Sequence, residues 1–356
     1  FAPHLTAISH GDASNRIMRS TTANELIFEN GRVTGVKAVM DDGTEVTAHA
    51  RKGVLIASGG YAANIQKVLK TNNYWSRMYL SPTIGTTNRS SLRGDGIDMA
   101  TEVGAATVGM GWTQLMPLSN VNDGSIAFGG VENAIFVSPA TGKRYVDECS
   151  ERDVLALNSL KNGIEWRGVR GVFLYITPGM GFGPLGANDN FGGIAGFGGM
   201  SATNTLKSAS CTGATMQSVF DELEIETDAE AVKNTIREYD MAVMDGVAPI
   251  PGKAHAPVII GRAMRGTDGY DKSTYTVEDA DFLLKVLAPA THHTMGGLKV
   301  DLDRHVLDEA GKPIPGLYAA GEVTGGFFGG NRLGGNALTE VMASGRIAAR
   351  SVQKDN

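Results

Sequence analysis

The sequence predicts an α/β fold of two domains, and three observations support that prediction. A region of β-hairpins leads into a short buried strand that ends in Gly59 and Gly60. Between residues 116 and 284 the composition changes, and glycine-, serine- and asparagine-rich loops alternate with polar helices. Residues 314–352 then return to a buried strand, a glycine-rich loop and an amphipathic helix. We therefore expect residues 1–115 and 285–356 to form one α/β domain, with an α+β cap domain at residues 116–284 inserted into it.

Composition limits the functional classes. The 356 residues suffice for two domains, and their net charge of −6 does not favour a nucleic-acid partner. No run of about 18 apolar residues occurs, so we expect no membrane span. The two cysteines, Cys149 and Cys211, have neither metal-ligand spacing nor the pattern of a disulfide framework. No metal site is expected.

The N-terminal region predicts a strand meander followed by one helix. The predicted strands cover residues 17–28, 32–40, 44–50 and 53–58, the last of which ends in Ser58. Asp95 precedes a helix at residues 97–103, where it is either a plain N-cap or part of a ligand site. A strand at residues 105–115 is expected to leave this domain. Within the cap, residues 228–243 predict an amphipathic helix, whereas the glycine-rich residues 182–199 predict a lid or a closely packed loop.

The densest motif lies at the C-terminal end. A strand at residues 317–320 ends at Gly321, and Glu322 stands just past it, where open α/β sheets place ligand contacts. The glycines at residues 325–330 let the backbone approach a ligand, and Arg332 follows them. Asn336 is the expected N-cap of a helix whose positive dipole end suits an electron-rich ligand. Its expected apolar face comprises Leu338, Val341, Met342, Gly345, Ala349 and Val352.

This stretch resembles the flavin-binding motif of the fumarate reductase and succinate dehydrogenase flavoprotein family, in particular its soluble flavocytochrome c type. The resemblance implies a doubly wound FAD-binding domain and non-covalently bound FAD. It places Glu322 on the FAD ribose and Arg332 on a substrate carboxylate. The remaining residues that it assigns to the cofactor are Ser58, Gly59, Gly60, Asp95, Gly321, Gly335, Asn336, Ala337 and Leu338.

Residues 292–297 form a second motif, His-His-Thr-Met-Gly-Gly. Alone it could be a polar strand end with a glycine turn. A metal site is disfavoured because adjacent histidines in a strand point to opposite faces. The family has the same motif, and the resemblance implies that His292 binds the substrate carboxylate while His293 lies against the flavin.

Residues 143–153 form the third motif, which alone would be a solvated charged turn. It resembles a family segment that relays a proton to the active site, which implies this role for Glu148 and Arg152. Fumarate reductases protonate their substrate with an arginine that the matching region here, residues 172–179, does not contain. Tyr175 is our candidate replacement. Met116 also stands where those enzymes have a histidine for the second carboxylate.

The family's dinucleotide fingerprint, G-x-G-x-x-G between a strand and a helix, is not found in this sequence. We infer that the first part of the flavin domain lies on a missing N-terminal segment or a companion chain. Haem or FMN could be carried by upstream segments, and an electron donor protein or domain is implied. The resemblance predicts a soluble protein of the bacterial periplasm or cytoplasm.

Three functions are compatible with these motifs. The first is reduction of an α,β-unsaturated monocarboxylate, as in the urocanate, cinnamate or acrylate reductases that the sequence resembles. The second is reduction of fumarate, which Met116 and the region around Tyr175 disfavour. The third is an FAD-binding electron-transfer subunit, which His292 and Arg332 disfavour because such a subunit needs no carboxylate clamp.

Overall fold

The computed structural model describes residues 16–127, 130–179, 207–254, 259–261 and 275–355, and these form a mixed α/β fold. The strands are β1 (Thr21–Glu29), β2 (Arg32–Met40), β3 (Glu45–His49), β4 (Val54–Ile56), β5 (Gly85–Thr86), β6 (Thr107–Val108), β7 (Thr113–Asn120), β8 (Ile135–Val137), β9 (Ile164–Trp166), β10 (Val169–Pro178), β11 (Ser208–Thr212), β12 (Asp281–Thr294), β13 (Gly297–Leu298), β14 (His305–Leu307) and β15 (Pro313–Ala319). The α-helices are α1 (Ile65–Thr71), α2 (Asp95–Glu102), α3 (Arg152–Asn162), α4 (Met216–Glu222), α5 (Ala229–Met244) and α6 (Asn336–Lys354). The predicted α/β class is confirmed.

The N-terminal meander forms as the sequence predicts. Strands β1, β2 and β3 pair antiparallel in that order, and Asn30 and Gly31 turn the chain with positive φ. Strand β4 then pairs parallel with β15, so Ile56 lies opposite Ala319. Two glycine-ended strands that are far apart in the sequence therefore finish at the same edge of one small sheet.

A seven-stranded sheet is built around β12. That strand pairs with β10 and β11 through its N-terminal part and with β7 and β5 nearer its C-terminal end. Aromatic side chains such as Phe136, Phe173 and Phe282 are buried in hydrophobic clusters. The predicted domain boundary between residues 284 and 285 falls inside β12, a continuous strand that carries His292 and His293 near its C-terminal end.

Three local predictions are corrected by the backbone. The N-cap of α6 is Gly335, at φ 88°, so Asn336 is the first helical residue. The N-cap of α2 is likewise Gly94 and not Asp95. The strand expected at residues 105–115 is divided between β6 and β7, because Gly109 adopts φ 68° and turns the chain.

Helix α6 packs through a different face from the one expected. Ser344, Ala348 and Ser351 are its buried residues, whereas Leu338 and Met342 are 54% and 60% exposed. Small side chains let the helix lie close to the strand ends beneath it, and Ser344 Oγ accepts a hydrogen bond from the Gly321 N–H at 3.0 Å. The apolar face predicted from the sequence is therefore largely uncovered in this chain.

Helix α5 confirms the amphipathic pattern at residues 228–243, with Asp228 as its N-cap. Residues 182–199 lie outside the described residues. Among the helices that the structure describes, none combines the length and apolar character needed to cross a membrane.

Candidate active site

The ends of β4, β12 and β15 meet at one point. A Cβ atom added to Gly60 would lie 2.1 Å from Thr294 Oγ1 and 2.4 Å from Glu322 Oε1. Only glycine fits there, because real Cβ atoms do not approach other atoms so closely. Three motifs that are far apart in the sequence thus share a single junction.

Glu322 is fixed at this junction by Thr294. Its Oε1 accepts hydrogen bonds from the Thr294 N–H at 3.0 Å and from the Thr294 hydroxyl at 3.3 Å. Burial raises the pKa of Glu322, while these hydrogen bonds and the charge of Arg332 oppose that rise. A carboxylate held in a partly desolvated position is suited to accept hydrogen bonds from sugar hydroxyls.

The segment around Asp95 packs against the end of β4. A Cβ on Gly96 would lie 2.2 Å from Ser58 Oγ, so the missing side chain lets α2 touch the end of β4. Asp95 itself is exposed in the first turn of α2. The structure therefore brings Ser58, Gly59 and the start of α2 together.

The two histidines are held neutral. Burial, followed by the charges of Arg332 and Arg152, lowers the pKa of His292 to about 3. Its Nδ1 lies 2.7 Å from Thr87 Oγ1, which orients the ring and leaves Nε2 for another partner. Burial, then Arg332, also lowers the pKa of His293 to about 3, and its ring contacts Phe328 edge-on at 5.6 Å between centroids.

Arg332 is 7% exposed, and polar contacts hold its loop. Gln114 Nε2 donates to the Arg332 carbonyl and to Asn331 Oδ1, both at 2.7 Å. Asn331 Nδ2 in turn donates to Glu151 Oε2 at 3.0 Å. The sequence offered no signal for Gln114 or Thr87, since isolated polar residues in strands and loops have no distinguishing pattern.

A cavity of about 600 Å³ opens beside Arg332. Arg332 and Arg152 both line it, together with Glu151. Most of the remaining lining is apolar and includes Met116, Leu118, Ile126, Val131 and Leu155. The cavity lining thus combines two guanidinium groups and one carboxylate with mainly apolar side chains.

Glu148, for which the resemblance implies a proton relay, is not among the residues that line this cavity. It is fully buried, and Arg144 donates to both of its carboxylate oxygens at 3.0 Å and 2.7 Å. Lys253 Nζ lies 3.6 Å away. Glu148 therefore belongs to an ion cluster inside the cap, and Glu151, three residues on, is the carboxylate at the cavity.

Tyr175 also lies away from the cavity. Its hydroxyl donates to the Gly130 carbonyl at 3.1 Å, and its ring packs against Phe136 with 5.8 Å between centroids. Strand β10 is buried along most of its length, which places Tyr175 within the cap core. Its position does not support the prediction that it protonates the substrate.

The residues present fit FAD. Gly59, Gly321 and Gly335 adopt φ 77°, 78° and 88°, a left-handed conformation that favours glycine. Gly335 has no atom within 4 Å of an added Cβ, and it opens the N-terminal end of α6. The buried Nδ1 of His293 has no hydrogen-bond partner. The Glu322 carboxylate, the unpartnered His293 Nδ1 and the open turn at Gly335 are each suited to contact FAD.

Comparisons with known proteins place these observations in a family. The chain is 37% identical over 348 residues to NADH:acrylate oxidoreductase of Vibrio harveyi, covering 96% of this chain and 30% of that protein. It is 28% identical over 339 residues to urocanate reductase of Eggerthella lenta, covering 94% and 50%. It is 27% identical over 328 residues to the cytochrome fumarate reductase of Shewanella frigidimarina, covering 85% and 45%. The chain thus spans half or less of the length of these relatives.

A solved structure of the open conformation of a flavocytochrome c3 fumarate reductase has the same fold. The TM-score is 0.69 at 24% identity, and the match covers 99% of this chain and 54% of the other. The model of the FAD binding domain family matches residues 5–338. The chain therefore belongs to the FAD binding domain family.

Proposed function

We propose that this chain belongs to a reductase that saturates the C=C bond of an α,β-unsaturated carboxylate, and that its preferred substrate carries one carboxylate. The observation that carries the proposal is the lining of this cavity, which combines Arg332 and Arg152 with apolar side chains such as Met116, Leu118 and Val131. Relatives named for acrylate and urocanate reduction support it.

The side chains have distinct roles in this proposal. Reduced FAD would supply the hydride. Arg332 would hold the substrate carboxylate, since guanidinium binds carboxylate through two parallel hydrogen bonds. His292, neutral and oriented by Thr87, would donate from Nε2 to the same group. Both groups would also stabilise the negative charge that grows on the carboxylate during hydride transfer. Glu322 and His293 would face the cofactor.

We also propose that a further polypeptide segment, or a companion chain, completes the FAD site. Leu338 and Met342 of α6 are more than half exposed, and β4 pairs only with β15 among the described strands. A segment carrying a dinucleotide fingerprint would cover both. We further propose that an electron donor protein or domain reduces the FAD, with haem or FMN carried on other segments. We also propose that the protein resides in the periplasm or cytoplasm.

The test is a substrate screen on the FAD-loaded protein with reduced viologen as the artificial donor. We expect acrylate, cinnamate or urocanate to be reduced faster than fumarate. Fumarate is the second candidate, because two arginines line the cavity and a dicarboxylate needs two cations. Failure to oxidise the viologen with any of these compounds would favour an electron-transfer subunit instead.

A further inference from the structure

Arg152 reaches the loop that carries Arg332. It is the first residue of α3, and its Nη2 lies 2.8 Å from the position that a Cβ on Gly334 would occupy. Because Gly334 has no side chain, the Arg152 guanidinium can lie directly against the loop. The contact with Arg152 therefore explains why residue 334 is a glycine.

The two guanidinium groups approach the same short stretch of backbone. Arg332 Nη1 donates to the Leu333 carbonyl at 3.2 Å, one residue before Gly334. Both arginines line the cavity, as do residues 149–151, which lead into the N-terminal end of α3. Two guanidinium groups and the N-terminal end of α3 therefore line the same cavity, together with Glu151, the N-cap residue of that helix.

Neither guanidinium forms an ion pair within the described part of the chain. No carboxylate oxygen there forms a salt bridge with Arg152 or Arg332 within 4.0 Å. Arg152 Nη1 and Arg332 Nε are buried without hydrogen-bond partners. Burial, followed by the charge of Arg152, lowers the pKa of Arg332, and the charge of Glu322 opposes that shift. Two partly desolvated like charges without a salt-bridge partner are costly unless an anion binds between them.

We propose that Arg152 is the second half of a carboxylate clamp, and that Arg152 and Arg332 bind the two oxygens of one substrate carboxylate. This inference rests on the proposed function and makes it more specific. It differs from the proton-relay role that the resemblance implies for Arg152. Since both guanidinium groups lie at residues 332–334, the apolar part of the lining is left for the uncharged part of the substrate.

The test measures binding of propanoate, a saturated carboxylate that cannot be reduced, to the FAD-loaded protein by calorimetry. We expect Arg152→Gln to weaken propanoate binding by about 10- to 100-fold, because hydrogen bonds to charged groups are worth roughly 1.5–3 kcal/mol. Arg152→Lys should recover part of the loss, since it restores the charge but not the planar fork. Gly334→Ala should also weaken propanoate binding, because the added methyl group would displace the Arg152 guanidinium.

The matched control is Lys161→Gln, which removes one positive charge from the exposed C-terminal turn of the same helix. It should leave propanoate affinity unchanged. Circular dichroism and FAD content identify any variant that fails to fold. If Arg152→Gln does not fold, propanoate affinity is compared between the parent protein and Arg152→Lys.

Two outcomes would overturn the inference. One is an Arg152→Gln variant that binds propanoate within twofold of the parent and shows only a lower kcat with a shifted pH profile, as a relay would. The other is a variant that loses affinity for succinate but keeps it for propanoate, which would place Arg152 at a second carboxylate. Arg152-dependent propanoate binding in a protein that reduces no enoate would instead sustain the clamp and refute the proposed function.

Discussion

Glu322 Oε1 accepts hydrogen bonds from both the N–H and the hydroxyl of Thr294, at 3.0 Å and 3.3 Å. This contact joins the His-His-Thr-Met-Gly-Gly motif of β12 to the strand end of β15. Gly60 closes the junction from a third side, since any side chain there would meet both residues. Three strand ends therefore meet at this junction, which we propose as part of the FAD site, and Thr294 holds the Glu322 carboxylate in place there.

Replacing Glu322 should weaken FAD binding. We expect Glu322→Ala to raise the Kd for FAD by about 10- to 100-fold, because a charged acceptor is lost from a partly desolvated site. Fluorescence titration of the FAD-depleted protein measures this change. Glu309→Ala, at an exposed turn, is the control. An unchanged Kd in the Glu322 variant would remove this residue from the cofactor site.

Arg332→Ala should abolish reduction while leaving FAD bound. Losing one group that stabilises transition-state charge typically costs about 10²–10³ in turnover. Steady-state rates with the best enoate, together with FAD content, separate the two effects. Arg346→Ala, on the exposed surface of α6, should keep normal rates. Near-normal turnover in the Arg332 variant would place the carboxylate clamp elsewhere.

Fumarate should be a poorer substrate than monocarboxylic enoates. Met116 lines the cavity at 8% exposure, and its thioether donates no hydrogen bond to a second carboxylate. A carboxylate buried there without a partner costs several kcal/mol. Met116→His should raise the rate with fumarate relative to acrylate, and Met116→Leu serves as its apolar control. The measurement is kcat/KM for fumarate and for each monocarboxylic enoate. Fumarate as the best substrate of the parent protein would contradict our assignment.

Stability should fall as the solution is acidified below the ordinary histidine pKa. In the folded state the pKa of His292 and of His293 is lowered from 6.5 to about 3. The unfolded chain therefore binds more protons in this window. The stability due to the neutral rings is complete above pH 6.5 and is lost as the pH falls toward 3.

Each ring contributes at most about 1.4 kcal/mol per pH unit to this slope. The free energy of unfolding, measured with urea at pH 7, 6 and 5, should therefore fall with decreasing pH. His293→Gln should reduce the slope of this dependence. His49→Gln, on an exposed strand, is the control and should leave it unchanged. Equal slopes in the parent and the His293 variant would contradict the burial of a neutral ring.

Gly96→Ala should destabilise the protein. The added Cβ would lie 2.2 Å from Ser58 Oγ and 2.6 Å from Ile56 Cγ2, so α2 must move away from β4. Overpacking of this kind costs about 1–3 kcal/mol. Gly345→Ala in α6 is the matched control, because its added Cβ meets no atom within 4 Å. That change should be neutral or stabilising by up to about 1 kcal/mol, as measured by chemical unfolding.

The sequence alone determined the fold class and the main elements of the site. Hairpin turns, strand-ending glycines and a glycine loop before a helix are local signals, because they depend on the backbone preferences of neighbouring residues. The same motifs indicated Glu322, His292 and Arg332, and the structure brings these three into one region with Thr294.

Only the tertiary structure decided which of the remaining charged and aromatic side chains reach the cavity. Glu148 is drawn into the cap by Arg144 and Lys253, whereas Arg152 extends to Gly334. Helix α6 buries its serines and alanine and exposes Leu338 and Met342. Periodicity predicts that a helix has an apolar face, but the element packed against that face depends on contacts between residues far apart in the chain. Those contacts set the burial and charge of each side chain, and hence its chemistry.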